Sequence, residues 1–197
     1  MHLHDARFCA IDLETTGLDA KRDEIIAFAC IPIHGMKILV GDARYTLIRP
    51  NSYRLKTMKY HGISPKDLEA APTFEKAAPS VLEALDGILV GYCVEFDYQL
   101  LKRGFKETGV KLKRDTIDIM KVEHWLGLKS RKGATDLSFE SIMEHYGLKE
   151  THRHHALADA FFVAQIFQYQ IARLSQCGVD STSRLRKILK RLRYAIW

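Results

Sequence analysis

Phe8, Cys9, Ala10, Ile11 and Leu13 make an apolar run near the start of the chain, broken by Asp12 and closed by Glu14, Thr15 and Thr16. Continuous apolarity over so few residues predicts a strand buried on both faces, Phe8 to Leu13. Two more strands are predicted at Glu24 to Ile33 and Ile38 to Ile48, with a His34, Gly35, Met36 turn between them. Connections this short make the three strands antiparallel, and Pro50 ends the section. Beyond Pro72 the apolar spacing turns helical from Phe74 to Leu85, and Gly87 stops it. Ile88, Leu89 and Val90 read as a short buried strand ending at Gly91. A helix over Phe96 to Phe105 follows, then a strand edge running into a helix over Thr116 to Trp125. Phe139, Ile142, Met143 and Tyr146 mark an amphipathic helix, and a long helix runs from about His155 to Leu174. Three strands and then alternating helices and strands predict an α/β fold, a mixed five-stranded sheet with helices on both faces.

At 197 residues the chain is long enough for one domain with a full core. The expected division is a body over residues 1–175 and a basic amphipathic tail over 176–197. Between Ser181 and Trp197 lie Arg184, Arg186, Lys187, Lys190, Arg191 and Arg193, and no acid. The formal charge of +6 therefore belongs to residues 181–197, and the rest of the chain is neutral. Leu185, Ile188, Leu189, Leu192 and Ile196 recur there at helical spacing. A helix docking its apolar side on the body, a contact with nucleic-acid phosphates, and a membrane-surface or partner-binding helix all fit that pattern. Lys129 to Thr135 is basic and contains Gly133, which predicts a surface loop.

Apolar stretches such as Ile25 to Ile33 stop short of the roughly 20 residues that a membrane span needs. His2, His4, Asp5 and Arg7 interrupt the N-terminus before a signal sequence could form, so the expected compartment is the cytoplasm. Cys9, Cys30, Cys93 and Cys177 are scattered with no zinc-like spacing, and are expected to be free thiols.

The chemistry concentrates in a few acids. Residues two apart in a strand share a face, so Asp12 and Glu14 project side by side and repel unless a cation lies between them. By itself such a pair also fits a strand end fraying into a solvated acidic turn. Asp97 falls where the Ile88–Gly91 strand gives way to a helix, a position that suits a ligand site or a helix cap. Asp159 sits among small and apolar residues of the long helix, a poor place for an uncompensated carboxylate. His154 lies five residues upstream of it, and with His152 and His155 also reads as a surface histidine cluster.

These segments together resemble the DEDDh 3′–5′ exonucleases, a family that includes the proofreading epsilon subunit of bacterial DNA polymerase III, ribonuclease T and oligoribonuclease. The resemblance runs from about Phe8 to Phe167. It rests on DLETTGL at Asp12 to Leu18, YHGIS at Tyr60 to Ser64, FD at Phe96 and Asp97, DT at Asp115 and Thr116, and HHALADA at His154 to Ala160. It implies a ribonuclease H-like fold and a metal-dependent enzyme that releases nucleoside 5′-monophosphates from the 3′ ends of single-stranded DNA or RNA. It further implies that Asp12, Glu14, Asp97 and Asp159 hold two Mg²⁺ or Mn²⁺ ions, with Asp12 bridging them. Glu14 and Asp159 would serve the nucleophile-side ion, and Asp97 would act directly or through water. His154 would be the general base, while Thr15, Leu18 and His61 would cradle the terminal nucleotide.

That chemistry accounts for the residue types. Hard cations prefer carboxylate oxygen, and two ions roughly 3.5 to 4 Å apart can serve both the attacking and the leaving oxygen of a phosphodiester. An imidazole, with an ordinary pKa of about 6.5, can accept a proton near neutrality. Where the family commonly has histidine and asparagine, this chain has Tyr92 and Cys93, and Glu95 adds an acid beside Asp97. Those departures predict altered positioning or substrate preference with catalysis retained. A competing expectation is a binding or assembly module that attaches to a polymerase or another nuclease through the basic tail.

Overall fold

A computed structural model describes residues 1–129, 136–149 and 154–192. Most of the predicted basic loop at 129–135, together with His152, Arg193 and Ile196, lies outside the described residues. The predicted first strand is β1, Arg7–Thr15, and it carries Asp12 and Glu14 within it. It pairs antiparallel with β2, Ile25–His34, opposing Asp12 to Ala29 and Glu14 to Ala27, with a bulge between Glu14 and Thr15. The predicted third strand is broken. β3, Lys37–Ile38, and β4, Arg44–Leu47, both pair with β2, and a 3₁₀ turn at Val40–Asp42 separates them. β5, Ile88–Gly91, lies parallel to β1, and β6, Thr116–Asp118, lies parallel to β5. The described sheet thus has six strands in the order β3-β2-β1-β5-β6, with β4 also on β2, where unbroken pairing would have made five.

Eight helices are described: α1 Met58–His61, α2 Pro65–Glu69, α3 Phe74–Ala84, α4 Glu95–Glu107, α5 Ile119–Lys129, α6 Phe139–His145, α7 Ala156–Gln176 and α8 Thr182–Leu192. Alternation along β1 divides the core. Phe8 and Ala10 join α5, α6, α7 and α8 on one face, while Cys9, Ile11 and Leu13 join α3 and α4 on the other. Asp12 and Glu14 share the parity of Phe8 and Ala10, so they face the side that α7 covers.

The β1–β2 register also makes Cys9 and Cys30 diagonal neighbours, with Cα atoms 6.1 Å apart. Their sulfurs are placed in contact, whereas the expectation of free thiols holds for Cys93 and Cys177. Scattered sequence positions cannot show a pairing that only strand register creates.

The described part of the tail is docked. Leu185 and Leu189 are buried in the core that holds α5 and α7, and Arg186 Nη1 lies 2.6 Å from the Asp115 carboxylate. Arg184, Lys187, Lys190 and Arg191 remain exposed. The N-terminus clasps the same segment, with Leu3 N donating to the Asp180 carbonyl at 2.7 Å and Thr182 N to that of Met1 at 3.2 Å. Among the described residues, no helix is long and apolar enough to cross a membrane.

Candidate active site

β5 pairs with β1 only over Phe8 to Ala10, so the last third of β1 runs past the end of β5. Beyond that end the chain turns through Tyr92 and Cys93 into α4, which leaves Asp97 facing the overrun. On the other side, α7 meets β2 where Ala156 and Ala160 pack against Ala27, Ala29 and Ile31. Four small side chains let this helix approach closely, and Asp159 on the same turn arrives beside the β1 acids. Ligand oxygens of Asp12, Glu14 and Asp159 all lie within 4.8 Å of one another. The sheet end, α4 and α7 enclose a cleft of about 660 Å³ lined by these acids, Asp97, Thr15, Leu18, His61 and His154. Every site residue expected from the sequence therefore borders one cavity.

Asp97 is 7% exposed, and its carboxyl is raised well above the ordinary range, first by burial and then by the Glu14 and Asp118 carboxylates. Its place in the first turn of α4 should favour the anion, but burial and like charge outweigh that. An acid held in such surroundings is relieved by a cation. Three carboxylates within ligand distance, with a fourth buried next to Glu14, are a donor set that suits a hard divalent ion. The Cys93 thiol is pushed up to about 11, by burial first and then by Asp118 and Asp97. It stays protonated near neutrality and outside that donor set.

Among the described residues two that are not glycine hold their backbone in the left-handed region, and each donates its N–H to a buried acid. His154, at φ 62°, donates its backbone N–H to Asp159 Oδ2 at 3.1 Å, which couples the proposed base to a proposed ligand. Cys93, at φ 51°, donates its N–H to Asp118 Oδ1 at 3.2 Å, and Met120 N donates to the same oxygen at 3.0 Å. Asp118 is 6% exposed and raised by burial, an effect opposed by Lys121 and by these backbone bonds. The sequence reading missed it. Its signal was an acid at the end of a strand whose register sets it against Gly91.

His61 ends α1 before Gly62, whose φ of 68° reverses the chain. His61 Nδ1 accepts from Ile63 N at 3.1 Å, which leaves Nε2 to carry the proton. That nitrogen is covered and has no hydrogen-bond partner among the described residues. Burial lowers the pKa of this imidazole, favouring the neutral donor. On the opposite rim, the loop after Glu14 closes on Asp23, whose carboxylate accepts from Thr16 Oγ1 at 3.3 Å and Asp19 N at 2.8 Å. A Cβ at Gly17 would come within 2.5 Å of that carboxylate, so only glycine fits. The loop presents Leu18 at 91% exposure.

Comparison with known proteins agrees with this geometry. The family model for the RNase T exonucleases, described as exonuclease, matches residues 9–167. The PolC-type DNA polymerase III of Thermotoga maritima is 33% identical over 193 residues, covering 96% of this chain but 14% of the polymerase. The DNA polymerase III subunit epsilon of Aquifex aeolicus is 32% identical over 171 residues, covering 84% of this chain and 81% of that subunit. The chain thus spans about a seventh of the PolC-type relatives and most of the epsilon relative. Among solved structures, E. coli Exonuclease I with a dT13 oligonucleotide superposes with a TM-score of 0.76 at 17% identity, over 88% of this chain and 43% of that one. Exonuclease X with 5′-overhanging duplex DNA gives 0.70 at 19% identity, over 92% and 99%. At those identities the likeness is one of fold.

Proposed function

The chain belongs to the RNase T family of DEDDh exonucleases, and on that premise we propose that it removes nucleotides one at a time from the 3′ ends of single-stranded DNA or RNA. The observation that carries this reading is the convergence of Asp12, Glu14 and Asp159 within 4.8 Å, with Asp97 buried beside Glu14. Asp12, Glu14, Asp159 and Asp97 would hold two divalent ions, Mg²⁺ or Mn²⁺. Bound there, such ions lower the pKa of water and neutralise charge on the phosphodiester oxygens.

The protein's own groups supply the rest. The His154 imidazole takes the proton from the water that attacks phosphorus, and the Asp159 bond to its backbone N–H holds that residue in place. The P–O3′ bond then breaks and the departing O3′ takes a proton from solvent, leaving a 3′-hydroxyl on the shortened strand and releasing a nucleoside 5′-monophosphate. His61 lines the cleft and would contact the terminal nucleotide, while Leu18 and the Thr15 backbone form the facing wall. Matched DNA and RNA oligonucleotides, incubated with Mg²⁺, with Mn²⁺ or with chelator, test this. Nucleoside 5′-monophosphates should accumulate only with metal. Products ending in 3′-phosphate, or cleavage unaffected by chelation, would refute it.

A polymerase-associated role is the second reading. It is favoured by the PolC-type relatives, in which the matched segment is one part of a much longer polymerase. The exposed cations of α8 are the surface through which we would place such an association.

A further inference from the structure

The short helix α6 has a different task at each end. At its start Ser138, Phe139 and Glu140 line the catalytic cleft. Tyr92 meets them from the β5–α4 turn, its hydroxyl donating to the Leu137 carbonyl at 3.1 Å and its ring lying 5.1 Å from that of Phe139. At the far end the chain leaves α6 through Tyr146, which enters a buried polar cluster outside the cleft. The hub of that cluster is Glu123 of α5, only 6% exposed. Tyr146 donates its hydroxyl hydrogen to Glu123 Oε2 at 2.6 Å, and Gln170 Nε2 donates to the same oxygen at 3.1 Å. Arg173 Nη1 donates to Glu123 Oε1 at 2.8 Å and to the Tyr146 hydroxyl at 2.7 Å, so that hydroxyl both receives and gives. Gln170 Nε2 also donates to the carbonyl of Ile119 at 2.9 Å, the residue after Asp118. One carboxylate thus joins α5, the end of α6 and α7. At 1.5 Å per residue, Arg173 lies about 21 Å along α7 from Asp159.

A buried charge is a costly way to join three helices. Taking a carboxylate and a guanidinium out of water costs free energy that their attraction returns only in part, and apolar side chains of like volume hold a core at least as well. What charge-assisted hydrogen bonds add is direction, because they fix the angle and distance at which their partners meet. Here the partner so fixed is the end of α6. We propose that Glu123 is a positioning residue for strand binding: through Tyr146 it sets where α6 lies, and so where Phe139 and Glu140 stand on the cleft wall. The identity of the bound strand rests on the exonuclease reading; the anchoring of α6 rests on the cluster itself.

The test removes direction and keeps bulk. Glu123→Leu, Tyr146→Phe and Arg173→Met, combined in the full chain, leave no charge in the cluster and should melt within about 5 °C of the wild type. Amide hydrogen exchange in α6 should nevertheless quicken about tenfold, with α5 and α7 unchanged. Affinity for a fluorescein-labelled thymidylate octamer, read by anisotropy with Ca²⁺ in place of the catalytic ion, should fall about fivefold. Turnover at saturating octamer with Mg²⁺ should stay within about twofold, because the acids and His154 are not moved. Glu123→Gln, which keeps the bulk and one acceptor oxygen, serves if the triple variant does not fold, and should show the same two changes at about two- to threefold. Leu185→Ala lowers stability without touching the cluster and should bind the octamer as the wild type does. Unchanged exchange in α6, wild-type octamer affinity in the folded variants, or an equal loss of affinity in Leu185→Ala would overturn the proposal. A wild-type chain that binds the octamer and never shortens it, with the variants binding more weakly, would leave the positioning role standing and refute the exonuclease reading.

Discussion

Asp118 offers the sharpest test of how the site is held together. Replacing it with alanine has two opposed effects. It removes a carboxylate that helps raise Asp97, which should stabilise the metal-free chain. It also removes the acceptor for Cys93 N at 3.2 Å and Met120 N at 3.0 Å, at a position only 6% exposed. A buried donor left unpaired costs about 1 to 3 kcal/mol, so the two lost bonds together cost about 2 to 4 kcal/mol after partial rehydration. Asparagine separates the effects, because its amide oxygen accepts both N–H groups while the charge is gone. If the hydrogen bonds dominate, Asp118→Ala should lower the melting temperature by about 4 to 16 °C, at about 2 to 4 °C per kcal/mol for a chain of this size. Asp118→Asn should match or exceed the wild type. Scanning calorimetry of the three proteins in chelator measures this directly. Equal melting of the two variants, or a more stable alanine variant, would show that charge repulsion governs Asp118 and that it does not hold the Cys93 turn.

Three further outcomes follow from the same geometry. Asp97 is raised, so between the ordinary carboxylate pKa and its own value the folded chain binds more protons than the unfolded one, and its contribution to stability falls as pH rises. Asp97→Asn should therefore gain on the wild type in chelator as pH increases from about 4 to about 7, while losing activity; a melting-temperature difference that shrinks with pH would be contrary. Cys93→Asn places a residue that better tolerates the left-handed region at φ 51° and should raise stability by about 1 kcal/mol or less with activity retained, as read by urea unfolding and turnover. In α8, Leu185→Ala should cost about 2 to 5 kcal/mol because Leu185 is fully buried. Arg186→Ala should cost less than about 1 kcal/mol, since both partners of its ion pair are over one-third exposed. Equal costs in urea unfolding would mean that charge, and not apolar burial, seats the helix.

What the sequence showed depended on how local each cause was. The β1 run, α3 and α7 declare themselves through spacing alone, because one buried face repeats over several turns. Asp12, Glu14, Asp97, His154 and Asp159 were legible as candidates because they fall in three short motifs. The break between β3 and β4 was not, since Leu39 to Ala43 keeps enough apolar character to read as continuous strand while the chain bends through Val40–Asp42. Asp118 and Asp23 were missed for a related reason. Their work is to accept backbone N–H groups from Cys93 and Asp19, and no side-chain pattern records which backbone group a carboxylate will meet. The Cys9–Cys30 pairing and the close approach of α7 over Ala27 and Ala29 depend on register between strands and helices distant in sequence.

The central claim is that the four acids and His154 form one site acting from the 3′ end. Its most direct test is a time course on a 5′-labelled single strand with Mg²⁺, run beside the same strand carrying a blocked 3′ end and beside Asp12→Asn enzyme. A ladder shortening one nucleotide at a time from the free 3′ end, absent with the blocked strand and with Asp12→Asn, is the predicted result. Label released at once as a mononucleotide, internal cuts in the blocked strand, or undiminished shortening by Asp12→Asn would contradict it.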